Sequence, residues 1–385
     1  MRVDIAELTP SSPSTAVAHL SAETLVSAVL DARLEWWRRK LCALALVGRI
    51  PAGSVPALFG VVRDSRVGTE VRAALLEVLP PSEELLTWLR TTDDDAYNLD
   101  LAILRTRARL KDSTSVPDVV ALMADEGPHR RLVADQCVDL LGHHEVLAAL
   151  GFDSSLSLML FGETPAARLL GVRLSDLDVT QALADEERMV AREAYDRLAE
   201  VRDHHGELLR MVADQAPGHL WALAVLAARG EPIGEQWAAL GEPMVPVPGL
   251  PADVRAAIVR QYVPGTRDTD PRWLLEAACL PAEEPPDVMS QAMAALAPVN
   301  PAPPVPVGDH YQQGEGTYHL IDTDAGQVEV STLGRFYWTA DGPDLPGFRR
   351  IDEVTGAIMI TGLPVYFFGR REPLSVRELL FYWQD

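Results

Sequence analysis

The chain has 385 residues, 48% of them hydrophobic, and a formal net charge of −22. That is enough apolar material for a large core, and more length than one compact domain ordinarily needs. The acidic excess works against nucleic-acid phosphates and anionic membrane surfaces and favours a basic partner. Arg outnumbers Lys 32 to 2, which reads as the coding bias of a GC-rich, bacterial genome. Cys42, Cys137 and Cys279 stand far apart in apolar helical stretches. They match no metal spacing and no disulfide framework, so buried free thiols in a reducing compartment are expected. No stretch reaches the roughly 18 uninterrupted apolar residues of a membrane span. The first 21 residues carry acids and prolines where a signal peptide needs an apolar run. A soluble, cytoplasmic protein is expected.

In chain order, residues 1–20 read as a loosely docked arm. Ser21–Ile50 follows as a helical pair or one long bent helix opened by a Ser21 cap, with an apolar stripe through Leu25, Val29, Leu34, Trp37, Leu41, Leu44 and Val47. Ser54–Leu79 is the clearest hairpin. Pro56 sits in a first helical turn, Leu58, Val61 and Val62 form one stripe, Asp64 to Gly68 the turn, and Val71, Ala74, Leu75 and Val78 a second stripe. Ser82–Leu110 is the next pair, turning at Asp93-Asp94-Asp95. Val116–Leu141 then repeats the Val-Pro opening of Val55-Pro56. Two hairpins span the interval from Val55 to Val116, so the period is about 30 residues, which suits a stack of two-helix units. Less regular pairs continue to residue 297, giving eight or nine in all.

Residues 298–308 are a proline-rich, extended linker. From 309 to 385 the composition changes, and this segment holds 12 of the 24 aromatic residues. Thr317–Asp322 and Gln327–Thr332 alternate as strands around Asp324-Ala325-Gly326, with further strands at Arg335–Trp338, Ala357–Thr361 and Val365–Phe368. Ser375 and Glu378 form a capping box for a last helix running through Trp383.

The Val55-Pro56-Ala57-Leu58 opening, Asp64 at the turn and Val71-Arg72 in the second helix resemble a HEAT repeat, the hairpin of armadillo-type superhelices. Ala167-Arg168 and Asp185 with Ala191-Arg192 are similar. The resemblance covers about residues 20–297 and implies a mainly α, HEAT-like solenoid with inter-repeat Asp–Arg contacts, carrying a small β-rich C-terminal domain. At Val116-Pro117 and Asp125 the arginine position holds Val133, so that contact should be broken there. Such solenoids host many roles, and the resemblance implies no activity.

Candidate chemistry is sparse. Phosphate-loop, dinucleotide, HExxH, GxSxG and CxxC motifs are absent from the sequence. His319, Asp322 and Asp324, read on one strand face beside Glu329, are the best enzyme-like cluster, for a runner-up function as a groove enzyme acting on nucleic acid, peptide or small molecule. His143-His144 and His204-His205 are read as partners of helix C-terminal dipoles rather than metal ligands, because two pairs two repeats apart do not converge. No metal or other cofactor is expected. Binding candidates are the aromatic-basic run Trp36, Trp37, Arg38 and Arg39, and the tail residues Tyr366, Phe368, Arg370, Arg371, Tyr382 and Trp383. The leading expectation is a non-catalytic protein- or peptide-binding scaffold with an acidic surface. Residues 1–308 alone carry 44 acids against 28 basic residues.

Overall fold

The structure, a computed structural model, describes residues 4–92, 96, 98–125, 127–176, 178–239, 244–281, 287–298, 305–306, 316–367 and 370–382; of residues 128, 305, 306, 367 and 370 it describes the backbone alone. The Asp93-Asp94-Asp95 turn and most of the proline linker fall outside them. The chain divides into two compact units, Met1–Leu158 and Met159–Asp385.

The first unit is helical: α1 Ala22–Leu30, α2 Trp36–Leu44, α3 Val55–Arg63, α4 Thr69–Val78, α5 Glu83–Thr91, α6 Leu99–Arg109, α7 Val116–Met123, α8 Pro128–Leu141 and α9 His143–Ala149. Ser21 and Ser82 cap α1 and α5 through their hydroxyls, and Pro56 and Pro117 occupy first turns. Leu58, Val62, Val71 and Leu75 are fully buried, as their spacing requires. The second helices of successive hairpins pack in a row, α2 on α4, α4 on α6 and α6 on α8. The first two hairpins repeat with Asp31, Arg33 and Arg39 recurring as Asp64, Arg66 and Arg72. This is a slightly longer period than the sequence suggested.

Helix α10, Ser155–Phe161, runs across the division. The second unit holds α11 Pro165–Leu174, α12 Arg188–Glu200, α13 His205–Ala213, α14 His219–Ala228, α15 Gly234–Ala239, α16 Ala252–Tyr262, α17 Pro271–Cys279 and α18 Val288–Leu296. Helix α14 packs on α12, α13 and α17. A buried ion pair ties α16 to α17. Arg255 donates Nε and Nη2 to Glu276 at 2.6 and 2.7 Å, and its guanidinium lies 4.4 Å from the ring of the fully buried Trp273.

The C-terminal strands pack onto these last helices. Strands β1 Val305–Pro306, β2 Tyr318–Thr323, β3 Gly326–Ser331, β4 Phe336–Trp338 and β5 Arg349–Arg350 form a sheet in that order, antiparallel except for β4 with β5. Ile321, Val328, Val330 and Tyr337 share a core with Val288, Ala292 and Leu296 of α18. Two expected strands merge into β6 Met359–Phe367, which pairs with β7 Arg370–Ser375 through an irregular register. Gly362 makes the bend with a φ of 78°, and a side chain there would meet the Trp273 indole. A short helix α19, Glu353–Gly356, precedes β6, and α20, Val376–Leu380, closes the chain. The Ser375–Glu378 capping box is present. The helix stops before Phe381, earlier than expected, because the Tyr262 hydroxyl takes the Leu379 carbonyl and Ser331 takes that of Leu380.

Cationic side chains close helix C-termini throughout both units. Arg39 donates to Val29 O and Arg72 to Val62 O, at 2.9 and 2.7 Å. Arg109 reaches Leu76 and Leu79, Lys111 reaches Leu140 and Leu141, Arg197 reaches Val172 and Arg173, and Arg229 reaches Leu198. The expected Asp–Arg contacts take a different form. Asp64 pairs with Arg66, whose hydrogen bonds, with a smaller contribution from nearby Arg72, bring its carboxyl down to about 2. Asp185 pairs with Arg168 of the preceding helix. Asp125 is not left alone, as Val133 had suggested: Arg130 bridges it to Asp100, at 2.8 and 2.9 Å.

Among the described residues of the first unit the most buried carboxylate is Asp112, whose side chain has no exposed surface. It accepts from Arg90 at 2.7 Å, Arg107 at 2.9 Å and Thr114 at 2.7 Å. Burial alone would raise its pKa. The bonds from Arg90, Thr114 and Arg107 outweigh that and hold it far below the usual range. Removing Asp112 leaves Arg90 without its carboxylate and Arg107 with Asp118 alone, at 2.9 Å. Asp112→Ala is expected to lower unfolding stability by about 3 kcal/mol in urea titrations at pH 7. A carboxyl held low stabilises the fold above its unfolded pKa of about 4 and loses that contribution as pH falls below it. Wild-type stability should therefore drop more steeply between pH 5 and pH 2 than that of Asp112→Asn.

Candidate functional site

Helix α12 turns Val190, Ala191, Ala194 and Leu198 into the core. The same periodicity places Arg192, Asp196 and Glu200, four residues apart, on one stripe facing a cleft. The opposite wall comes from Leu274, Ala277 and Ala278 of α17 and from Val263 and Pro264 in the turn after α16. The cleft has a volume of about 560 Å³ and is open to solvent.

Arg192 is buried and belongs to the frame of the cleft. It donates to the carbonyl oxygens of Pro264 at 2.9 Å and Thr266 at 2.5 Å, and to Asp196 Oδ1 at 3.0 Å. Its guanidinium also lies 5.3 Å from the Tyr195 ring, which packs on Trp221. The cation therefore satisfies backbone and one Asp196 oxygen, and leaves the other Asp196 oxygen and Glu200 to set the charge of the opening. Loss of hydration raises the pKa of Asp196, and Arg192 only partly opposes it. A carboxylate half stripped of water beside apolar alanine walls is a good seat for the end of a basic side chain. The i, i+4, i+8 spacing of Arg192, Asp196 and Glu200 was visible in the sequence. What it faced was not.

Compared with known proteins, the chain matches no family model, no curated protein and no solved structure.

The sequence candidates are scattered. His319 and Asp322 do not share a face: His319 stands opposite Val330, and Asp322 stands opposite Gln327, on the other side of the sheet. Asp324 lies in the hairpin turn beyond the end of β2. Asp322 accepts from the Gln327 side chain at 2.9 Å, and burial lowers the His319 pKa. The expected acid–base cluster is thus dispersed by strand alternation. The histidine pairs also correct the expectation, since His143-His144 open α9 and His204-His205 open α13. They sit at positive helix N-termini, not C-termini. Cys42 and Cys137 are buried, and burial pushes their thiols up to about 11 and about 12, but Cys279 is exposed at the end of α17.

Of the aromatic-basic run, Arg39 is a buried cap, and Arg38 stacks 4.7 Å from Trp37 while donating to Ala6 O of the N-terminal arm. Trp37 packs against the core, and Trp36 is half exposed. In the tail, the Tyr382 hydroxyl donates to Tyr366 O, its ring meets Tyr262, and Arg371 pairs across the strands with Tyr366. Tyr382 is thus an anchor of the fold. Phe368, Trp383 and the Arg370 side chain lie outside the described residues. Trp36→Ala should change unfolding stability by less than about 0.5 kcal/mol, whereas Trp37→Ala should cost about 2 kcal/mol, read from urea denaturation of the two variants.

Proposed function

We propose that this protein is a non-catalytic scaffold of HEAT-like α-solenoid type, in which the α12–α17 cleft receives a basic side chain of a protein or peptide partner. The observation that carries the reading is the Asp196–Glu200 pair, one helical turn apart on an apolar-walled cleft whose own cation gives most of its donors to backbone carbonyls and only one to Asp196. The net charge of −22 supports it by steering a basic partner toward the surface. The row of second helices from α2 to α8 supports the repeat reading. Among the described residues no helix is long and apolar enough to cross a membrane, and two buried free thiols suit a reducing cytoplasm.

A labelled Arg- and Lys-rich peptide titrated into the full chain, followed by fluorescence anisotropy, should bind, and a matched Glu-rich peptide should not. Asp196→Asn combined with Glu200→Gln should weaken binding about tenfold, the loss of one good charge contact. Equal binding by the double variant would reduce the effect to general surface charge and defeat the proposal. Because the Asp196 pKa is raised, its anion is lost at a higher pH than for an ordinary aspartate, so affinity should fall as pH drops through that range.

A further inference from the structure

Away from the cleft, three side chains meet that the sequence did not associate. Asp178 precedes a short 3-10 turn, Thr180–Ala184, His204 stands just before α13, and Glu207 lies in that helix's first turn. One ligand atom from each lies within 4.8 Å of the other two. His204 Nδ1 is 3.5 Å from Asp178 Oδ1 and 3.7 Å from Glu207 Oε2. These separations are long for charge-assisted hydrogen bonds, which run at about 2.7–2.9 Å. They are close to the edge of a coordination shell with bonds of about 2.0–2.1 Å, where tetrahedral ligand atoms stand about 3.4 Å apart.

A second observation points the same way. Thr180 is 1% exposed, and its hydroxyl meets no backbone group among the described residues and turns to the Asp178 carboxylate, which Glu207 also meets. The Thr180 amide meanwhile donates to Asp178 Oδ1 at 2.7 Å and fixes that oxygen. This is the supporting arrangement that orients a metal-bound carboxylate.

We propose that Asp178, His204 and Glu207 bind a divalent transition-metal ion, with an open position filled by water. One imidazole nitrogen and two carboxylate oxygens suit Zn²⁺ or Mn²⁺ better than a calcium site built of oxygen alone. Each side chain is about one-third exposed, so the ion enters from solvent without any opening of the fold.

The test is calorimetric titration of Zn²⁺ into the chelator-stripped full chain. One ion per chain is expected. His204→Asn, Asp178→Asn and Glu207→Gln should each weaken binding about tenfold or more. Asparagine tolerates the left-handed backbone of His204, whose φ is 61°, so that variant should fold. His205→Asn, which alters the neighbouring His205–Glu231 contact, should bind as wild type does. Absence of saturable binding, or unchanged binding in Glu207→Gln and His204→Asn, would overturn the site and leave a histidine ion-paired with two carboxylates. Zn²⁺ should also raise the melting temperature of the wild type and of His205→Asn but not that of His204→Asn, a readout independent of the calorimetry.

Discussion

The structure depends on one recurrent interaction, a cation from one helix closing the C-terminal carbonyls of its neighbour. The last carbonyls of a helix have no partner within it and carry the negative end of its dipole. In a stack of short helices these ends recur every few residues and are often covered by the next hairpin. Arg39, Arg72, Arg109, Arg197 and Arg229 each fill such an end, and Lys111 does the same for α8. Each contact contributes about 1 kcal/mol. Its larger effect is geometric, because the donor sits on one helix and the acceptors on another, so each bond sets how far two helices slide.

Arginine suits this use well, although Lys111 also serves. A guanidinium presents several donors in one plane and satisfies two or three carbonyls together. Arg192 shows the limit of the pattern, spanning the carbonyls of Val263, Pro264 and Thr266 while also holding Asp196. Part of the cation count is thus taken up in the fold, with Arg39, Arg72, Arg192 and Arg255 buried.

The C-terminal segment joins the second unit by the same logic with neutral donors. The hydroxyls of Tyr262 and Ser331 take the carbonyls that end α20. Gly362 lets β6 pass over Trp273, and the sheet buries its apolar face on α18. Aromatic residues such as Tyr382 and Phe381, which in sequence resemble an exposed binding tail, are therefore largely spent on attachment.

Much of this was legible in the sequence. The helical stripes of Leu58, Val62, Val71 and Leu75, the Ser21 and Ser82 caps, the first-turn prolines, the β2–β3 hairpin and the Ser375 box all follow from local periodicity and local hydrogen bonding, which adjacent residues decide among themselves. The individual arginines were equally visible, but their acceptors were not, since one such as Leu79 O lies 30 residues from its donor Arg109. Strand register alone separated His319 from Asp322, and helix stacking alone set Asp196 and Glu200 against α17 or brought Asp178 to His204 and Glu207. Sequence determines a residue's face within its own element. Which face of which other element it meets depends on packing between distant segments, and only the tertiary structure decides that.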